Sequence, residues 1–144
     1  MFAKRKGTRI ENELANMLWA KGFAVVRGPS SGAGVRKRYQ PDIVAIKNGI
    51  VYVIEVKSRK NDIVYIDAGQ IFGIQEFAKR SKGIPLVAVK SHGKFKFYTI
   101  DMLAMAGNSY KVQGDGYDIS FIVSNSSSIS SESSNSPGHL VSQS

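Results

Sequence analysis

One stretch of the sequence predicts a β-hairpin in a defined register: Pro41-Asp-Ile-Val-Ala-Ile-Lys47-Asn48-Gly49-Ile50-Val-Tyr-Val-Ile-Glu55-Val-Lys57. Two runs rich in β-branched residues flank Asn48-Gly49, a dipeptide that is typical of a two-residue hairpin turn. With these residues in the turn, Lys47 pairs with Ile50, and the same register places Asp42 opposite Glu55. Side chains alternate along a strand, so Lys57 lies on the face that carries both acids.

Two carboxylates on facing strands indicate a metal site. Opposed side chains have Cβ atoms ~4.5–5.5 Å apart, and like charges at that separation destabilise a sheet. Mg²⁺ prefers carboxylate oxygens with water and phosphate in its remaining positions, which suits Asp42 and Glu55. Lys57 would then orient a water or neutralise a phosphorane-like transition state. The alternative is structural: Asp42 caps the strand after Pro41, while Glu55 and Lys57 form an edge-strand ion pair. The distribution of charge favours the metal site.

The chain of 144 residues has a net charge of +9, and the first 60 residues hold nearly all of it. That segment contains 13 Lys and Arg residues but only four acids: Glu11, Glu13, Asp42 and Glu55. A basic surface segregated in this way is typical of binding to a polyanion, most often nucleic acid. We therefore expect the basic half to bind a polyanion, with the four acids placed among its cations.

The composition excludes several classes of protein. No cysteine is present, which rules out disulfide frameworks, cysteine zinc sites and thiol nucleophiles. The apolar runs are too short for a membrane span, and no apolar stretch follows the basic start as it would in a signal peptide. Hydrophobic residues make up 42% of the chain, enough for a folded core. We expect an intracellular, cytoplasmic protein associated with DNA.

Hydrophobic periodicity predicts two helices. The first helix begins at Thr8, which is placed as its N-cap, and ends at Gly22. The second helix runs from about Asp67 to Arg80 and stops before Gly83. Each helix has one apolar face, so we expect both to pack against a sheet.

The predicted strands complete an α/β fold. One strand covers residues 23–27, and a second hairpin joins residues 86–89 to residues 95–100 around His92-Gly93. With the first hairpin they form a β-sheet with helices against it. From Ser124 onward 11 of 21 residues are serine. We therefore predict a folded domain over residues 1–123 and a serine-rich, flexible tail over residues 124–144.

A nuclease signature is also present. Pro41-Asp42, twelve further residues and then Glu55-Val56-Lys57 have the form of the PD-(D/E)xK motif. Together with other segments within residues 4–100, this motif resembles the archaeal-type Holliday junction resolvases, including relatives in archaeal viruses. The other segments are Lys6-Gly7, Glu11-Asn12-Glu13-Leu14, residues 22–27, Pro29-Ser-Ser-Gly32 and residues 54–59.

The resemblance implies a homodimeric, Mg²⁺-dependent endonuclease, with Mn²⁺ as a substitute metal. Such an enzyme recognises four-way DNA junctions by their shape and nicks two opposed strands, which serves recombination and repair. The resemblance also implies a central mixed β-sheet flanked by helices, as in restriction endonucleases. The folded domain predicted over residues 1–123 would then be the nuclease domain.

The resemblance further assigns roles to single residues. The implied catalytic set is Glu11, Asp42, Glu55, Lys57 and Ser31, and its three acids are the metal ligands. A strand arginine and a second-helix glutamine of the family map onto Arg27 and Gln70.

Glu11 has a competing structural role. Thr8 and Glu11 have the spacing of a capping box, in which the Glu side chain returns to the helix N-terminus. Glu13 flanks the apolar stripe at a similar angle and is the reserve metal ligand. Relatives often have arginine directly after the helix Glu, where this chain has Asn12, and we expect Arg9 to substitute for that DNA contact.

The predicted DNA-binding residues are basic side chains, mostly in the first 60 residues, and two residues of the second helix. Phe72 is included because it lies off the main apolar stripe and suits contact with a junction or a protein partner. The set is Lys4, Arg5, Lys6, Arg9, Arg27, Arg36, Lys37, Arg38, Arg59, Lys60, Gln70 and Phe72.

Two other functions stay open. The first is a restriction-type or repair nuclease of the same fold that cuts duplex DNA, although no dedicated base-reading domain is visible. The second is a DNA-binding module without enzymatic activity, in which the acids are structural. The variants Asp42→Asn and Glu55→Gln distinguish an enzyme from such a module.

Overall fold

The computed structural model describes residues 2–28, 38–59 and 63–134, with side chains over residues 7–28, 38–59 and 63–126. The elements in these ranges are α1 (Phe2–Ala20), β1 (Ala24–Arg27), β2 (Ile43–Lys47), β3 (Ile50–Ser58), β4 (Val64–Asp67), α2 (Ala68–Ser81), β5 (Ile84–Ser91), β6 (Lys94–Thr99), a short 3-10 helix (Ile100–Met102), β7 (Ala104–Ala106), β8 (Ser109–Val112) and α3 (Ile119–Ser134).

The central sheet has five strands in the order β1-β2-β3-β5-β6. It is mixed, because β3 and β5 run parallel while the other neighbouring pairs are antiparallel. Helix α1 packs on one face through Ile10, Leu14 and Leu18. Helix α2 covers part of the other face, where Ile74 and Ala78 pack with the β3 strand. The predicted α/β fold with a central mixed sheet flanked by helices is confirmed.

The hairpin around Asn48-Gly49 has the predicted register. Lys47 pairs with Ile50, and φ is positive at both turn residues, 54° at Asn48 and 80° at Gly49. This is the backbone geometry that favours an Asn-Gly turn between twisted antiparallel strands. The predicted hairpin at His92-Gly93 has the same positive φ at both turn residues. Both hairpin predictions are confirmed.

Helix α1 begins earlier than predicted. It starts at Phe2, so Thr8 lies inside the helix and is not its N-cap. The residues before Thr8 include Ala, Lys and Arg, which are good helix formers. Gly7 costs a helix only about 1 kcal/mol relative to alanine, which is too little to end it. The proposed capping box between Thr8 and Glu11 is therefore wrong.

Helix α2 lies where the sequence predicts it, and Ile71, Ile74 and Ala78 are its buried residues. Its C-terminal end differs by one residue, because Lys82 rather than Gly83 takes the left-handed conformation. Gly83 is required for a different reason. A Cβ atom there would lie 2.9 Å from the Val51 carbonyl oxygen, so only glycine allows the chain to pass this close to β3.

Helix α3 runs across the predicted boundary at Ser124. Ile122 and Ser126 are both buried, and Ser126 Oγ donates to the Ile122 carbonyl oxygen. The Asn48 side chain donates to the Ser126 carbonyl oxygen over 3.3 Å, which ties the helix to the first hairpin turn. The structure therefore continues past residue 123, and residues 135–144 of the predicted tail lie outside the described residues.

A small second sheet, in the order β4-β8-β7, was not predicted. Its strands have only three or four residues, too few for a clear alternation of apolar and polar side chains. Val64, Ile66 and Val112 of this sheet pack with Val87 and Val89 of β5. In the described part of the chain, no helix is both long enough and apolar enough to span a membrane.

Candidate active site

The site forms just before β2 begins, beside the part of β3 that β2 does not pair with. Ile43 is the first residue of β2 that pairs with β3, and Asp42 precedes it. The Asp42 side chain takes the place of a strand partner, because its Oδ2 accepts a hydrogen bond of 2.8 Å from the Val56 amide. On the other side, the Gly28 amide donates to the Asp42 carbonyl oxygen over 2.9 Å. These bonds fix Asp42 between β1 and β3.

Gly28 allows this close approach. A Cβ atom at residue 28 would lie 2.3 Å from the Pro41 carbonyl oxygen, far inside van der Waals contact. Because the obstacle is backbone rather than a flexible side chain, any larger residue would displace the Pro41-Asp42 segment. Gly28 therefore helps to set the position of the Asp42 carboxylate.

Glu55 is the buried member of the acid pair. It is only 4% exposed, yet the Asp42 carboxylate lies close enough to affect its pKa. Its Oε2 lies 3.7 Å from Lys57 Nζ, and its Oε1 accepts a hydrogen bond from the Tyr39 hydroxyl. Burial, and then the Asp42 charge, raise the pKa of Glu55 to about 7. The ionised form of Glu55 is therefore less favourable in the folded protein than in water.

Asp42 and Glu55 lie close enough for each carboxyl to influence the pKa of the other. Burial also raises the pKa of Asp42, although the Val56 amide and the Lys57 charge act in the opposite direction. The predicted meeting of the two acids and Lys57 on one face is what the structure shows. Two carboxylates desolvated side by side favour a bound proton or a bound cation.

Glu11 lies beside this pair but faces a different partner. It forms an ion pair of 3.2 Å with Arg27 Nη1 at the end of β1. Burial, followed by the Asp42 charge, raises the pKa of Glu11, so Glu11 lies close enough to Asp42 to be affected by its charge. Glu13 instead pairs with Lys90. Of the two acids on α1, Glu11 is thus the one that adjoins the site.

The three acids do not form a closed ligand cluster. Among the described residues, no group of three or more His, Cys, Asp or Glu side chains lies close enough to hold a metal ion. The pair formed by Asp42 and Glu55 is the best candidate for metal ligation, because both are oxygen donors and both are desolvated. Glu11 differs from them in being paired with Arg27 through Oε1.

Several of the predicted DNA-binding residues are described, and their exposure differs. Arg9 on α1 and Arg38 before Tyr39 are exposed, and Gln70 on α2 is half-buried. Arg59, just after β3, is half-buried and donates to the Tyr98 hydroxyl over 3.1 Å, so part of its guanidinium is used inside the domain.

Other predicted residues are further from the acids in the fold or are not described. Phe72 on α2 is 58% exposed and meets Tyr110 of β8 edge-on, with ring centroids 6.5 Å apart. Lys4, Arg5 and Lys6 lie in the first turns of α1, for which only the backbone is described. Four predicted residues lie outside the described residues: Ser31, Arg36, Lys37 and Lys60.

Tyr39 is a member of the site that the sequence did not reveal. Its contact with Glu55 depends on Gly73 of α2, where a Cβ atom would lie 2.4 Å from the Tyr39 ring. No local pattern links a tyrosine before the hairpin to a glycine in the next helix. Burial and the Glu55 charge raise the pKa of the Tyr39 hydroxyl, which keeps it protonated as a donor.

Comparisons with known proteins identify relatives of this chain. A family model described as archaeal Holliday junction resolvase (hjc) matches residues 2–130. Over 111 residues, the chain is 44% identical to "Crossover junction endodeoxyribonuclease Hjc" of Sulfurisphaera tokodaii, which covers 76% of each chain. It has the same identity over 111 residues to the protein of that name from Sulfolobus acidocaldarius, covering 75% of this chain and 77% of the relative.

A solved structure is similar as well. Archaeoglobus fulgidus Hjc, a Holliday junction resolvase from an archaeal hyperthermophile, matches with a TM-score of 0.72 at 31% sequence identity. The match covers 81% of this chain and 98% of that protein. The restriction-endonuclease-like architecture that the sequence resemblance implied is therefore confirmed.

Proposed function

The chain belongs to the archaeal Holliday junction resolvase family, and we propose that it is an Mg²⁺-dependent, structure-selective DNA endonuclease that resolves four-way junctions by paired nicks. This activity serves recombination and repair, and it would place the protein in the cytoplasm with the DNA. The observation that carries the chemical part of the proposal is the desolvated pair of carboxylates, Asp42 and Glu55, with Lys57 on the same face.

The residues present fit a hard divalent cation. Asp42 and Glu55 offer only oxygen donors, and their raised pKa values show that nearby cations do not fully compensate their charges. Asp42 and Glu55 would hold Mg²⁺ or Mn²⁺, and Glu11 would join them after release from Arg27. Bound there, the ion supplies Lewis acidity, which polarises a phosphodiester and makes a nearby water a better nucleophile.

The protein itself contributes position and charge. The Asp42 carboxylate is held by the Val56 amide, so it reaches the reaction already oriented. The side chain of Lys57 is 29% exposed and lies 3.7 Å from Glu55, so its ammonium group is accessible to a phosphate approaching the pair. It would orient the attacking water or neutralise the charge that develops on the phosphate. Arg27, partly exposed beside Glu11, would bind a neighbouring phosphate.

Binding of DNA would depend mainly on phosphate contacts. Arg9 and Arg38 are exposed, and the first 60 residues hold nearly all of the net positive charge. Affinity for a junction should therefore fall steeply as salt increases. Junction preference is supported by the family to which the chain belongs.

A homodimer would supply the two active sites that paired nicks require, related by a two-fold axis. An apolar face of β1 and β2 suits such a contact. Val26 is 65% exposed and Ile46 is 38% exposed on this face. Val44 lies between them, and a groove of about 320 Å³ joins this face to Phe77 of α2. An apolar surface beside the site would be buried in a self-complementary interface.

The experiment that tests this function compares substrates. Purified protein with Mg²⁺ is incubated with a labelled four-way junction and with linear duplexes of the same arm sequences, and products are mapped on both strand pairs. We expect symmetric nicks in the junction and intact duplex. Cutting of duplex at one sequence would instead identify a restriction-type nuclease of this fold, and binding without cutting in Mg²⁺ or Mn²⁺ would identify a non-enzymatic module.

A further inference from the structure

Tyr39 makes an unusual connection between α2 and the acid pair. Its hydroxyl donates to Glu55 Oε1, whereas Lys57 lies near the other carboxylate oxygen, Oε2. The two oxygens of Glu55 therefore have different partners. A carboxylate on a flexible glutamate side chain that is held at one oxygen presents the other in a defined direction.

The ring of Tyr39 is held in place by the helix. Gly73 faces the ring, and a Cβ atom at that position would lie 2.4 Å from Cδ1 and 2.5 Å from Cγ of Tyr39. Only glycine leaves room for the ring at this point of α2. The close approach requires a glycine inside a helix, where it is unfavourable by about 1 kcal/mol relative to alanine.

Packing alone does not explain the hydroxyl. A cavity of about 570 Å³ lies between α2 and this segment, and Tyr39, Gly73 and Phe77 are among its lining residues. Phenylalanine would fill the same space against Gly73 as tyrosine does. The hydroxyl adds one thing that phenylalanine lacks, which is the hydrogen bond to Glu55.

We propose that Tyr39 is a positioning residue for the metal site: packed against Gly73, it holds Glu55 Oε1 and leaves Oε2, on the side of Lys57, as the oxygen that would bind a divalent cation. This inference rests on the proposed function, because it takes Glu55 as a metal ligand. It assigns to α2 a part in forming the site, because Gly73 of this helix faces the Tyr39 ring.

The test measures metal binding without DNA. Free Mn²⁺ is followed by electron paramagnetic resonance during titration of the wild type, Tyr39→Phe and Tyr65→Phe, the last being a control at an exposed tyrosine of β4. Loss of a side chain that orients a metal ligand typically weakens metal binding 10–100-fold. We expect Tyr39→Phe to bind Mn²⁺ at least about tenfold more weakly. Tyr65→Phe should match the wild type.

A pair of glycine variants tests whether the close approach of Gly73 positions the Tyr39 ring. Gly73→Ala should reproduce the weaker Mn²⁺ binding by displacing Tyr39. Gly69→Ala is the matched control on the same helix, because its Cβ atom would have no neighbour closer than 3.9 Å. In a Tyr39→Ala background, the additional change Gly73→Ala should no longer weaken binding, since the ring that it displaces is gone.

Measurements of junction cutting then distinguish a positioning role of Tyr39 from a general loss of structure. In Tyr39→Phe, the Mg²⁺ concentration that gives half-maximal junction cutting should rise, while the rate at saturating Mg²⁺ and the junction affinity in EDTA stay within about threefold of the wild type. Unchanged or tighter Mn²⁺ binding by Tyr39→Phe would overturn the positioning role while leaving the proposed function intact. A wild type that neither binds Mn²⁺ nor cuts junctions would overturn the proposed function as well.

Discussion

Replacing Glu55 with glutamine should make the metal-free protein more stable at alkaline pH. Glutamine has nearly the same shape, and its carbonyl oxygen can still accept the Tyr39 hydrogen bond. It lacks the charge that burial and Asp42 disfavour. The variant therefore removes the free-energy penalty of an ionised, buried Glu55 and is more stable. It should also lose cutting activity, because Glu55 is a proposed metal ligand.

The sign and size follow from the pKa of Glu55, which rises from 4.5 to about 7 in the folded protein. Between these values the folded state binds more protons than the unfolded state, so wild-type stability falls as pH rises through this window. At about 1.4 kcal/mol per pKa unit, the full effect is about 3 kcal/mol, reached only above the folded-state pKa. For a chain of this size, that corresponds to a difference in Tm on the order of 10 °C.

The assay is thermal unfolding of the wild type and Glu55→Gln at pH 4 and pH 8, in EDTA and in Mg²⁺. We expect similar Tm values at pH 4, a higher Tm for the variant at pH 8 in EDTA, and a smaller gap when Mg²⁺ stabilises the wild type. Glu76→Gln is the control, because Glu76 is exposed and Arg80 lowers its pKa. The reasoning fails if Glu55→Gln is no more stable than the wild type at pH 8 in EDTA.

Two further substitutions test the active site and the hydrophobic core independently. Gly28→Ala should reduce junction cutting by at least about tenfold with little loss of junction binding, because its Cβ atom would push against the Pro41 carbonyl oxygen and move Asp42. Gly7→Ala, where nothing lies within 4 Å of the added atom, should cut normally, and equal rates for both variants would refute the steric argument. Ile74→Ala, which empties a fully buried position of α2, should lower the free energy of unfolding by about 2–5 kcal/mol while leaving cutting below the melting transition unchanged. Urea unfolding monitored by circular dichroism measures the change, and a loss below about 1 kcal/mol would contradict the assigned core.

The sequence was most informative where a local rule determines geometry. Asn48-Gly49 sets a two-residue turn, and the period of two along a strand then brings Asp42, Glu55 and Lys57 to one face. That argument needs no knowledge of the rest of the fold. The structure adds why Asp42 stays in place, since its carboxylate takes the Val56 amide that a longer β2 would have bonded.

The sequence was least informative where distant segments decide the outcome. Periodicity could not choose between Glu11 and Glu13, because both flank the apolar stripe of α1. Only the positions of Arg27 and Lys90 in the folded sheet separate them. Tyr39 was missed for the same reason, because its role depends on a glycine of α2.

Helix α3 was missed because serine content suggested a tail. Among its described side chains, Ile122 and Ser126 are buried, and the partly buried Ile119 and Val123 pack against the core. This apolar face is short and ends where the serine-rich sequence begins, so composition outweighed it. The early start of α1 was missed because Thr8 is a good N-cap residue, whereas the residues before it are also good helix formers.

The most direct test of the account compares cutting and binding of a four-way junction by the wild type and Asp42→Asn. Asparagine can still accept the Val56 hydrogen bond, so the fold should be retained while the negative charge is lost. With Mg²⁺ we expect the single-turnover rate of cutting to fall by at least about a hundredfold. This corresponds to a loss of about 3 kcal/mol of transition-state stabilisation. Junction affinity should stay equal or increase, because a negative charge facing phosphate is removed. Near wild-type cutting by Asp42→Asn would contradict the assignment of the Asp42–Glu55 pair as the catalytic centre.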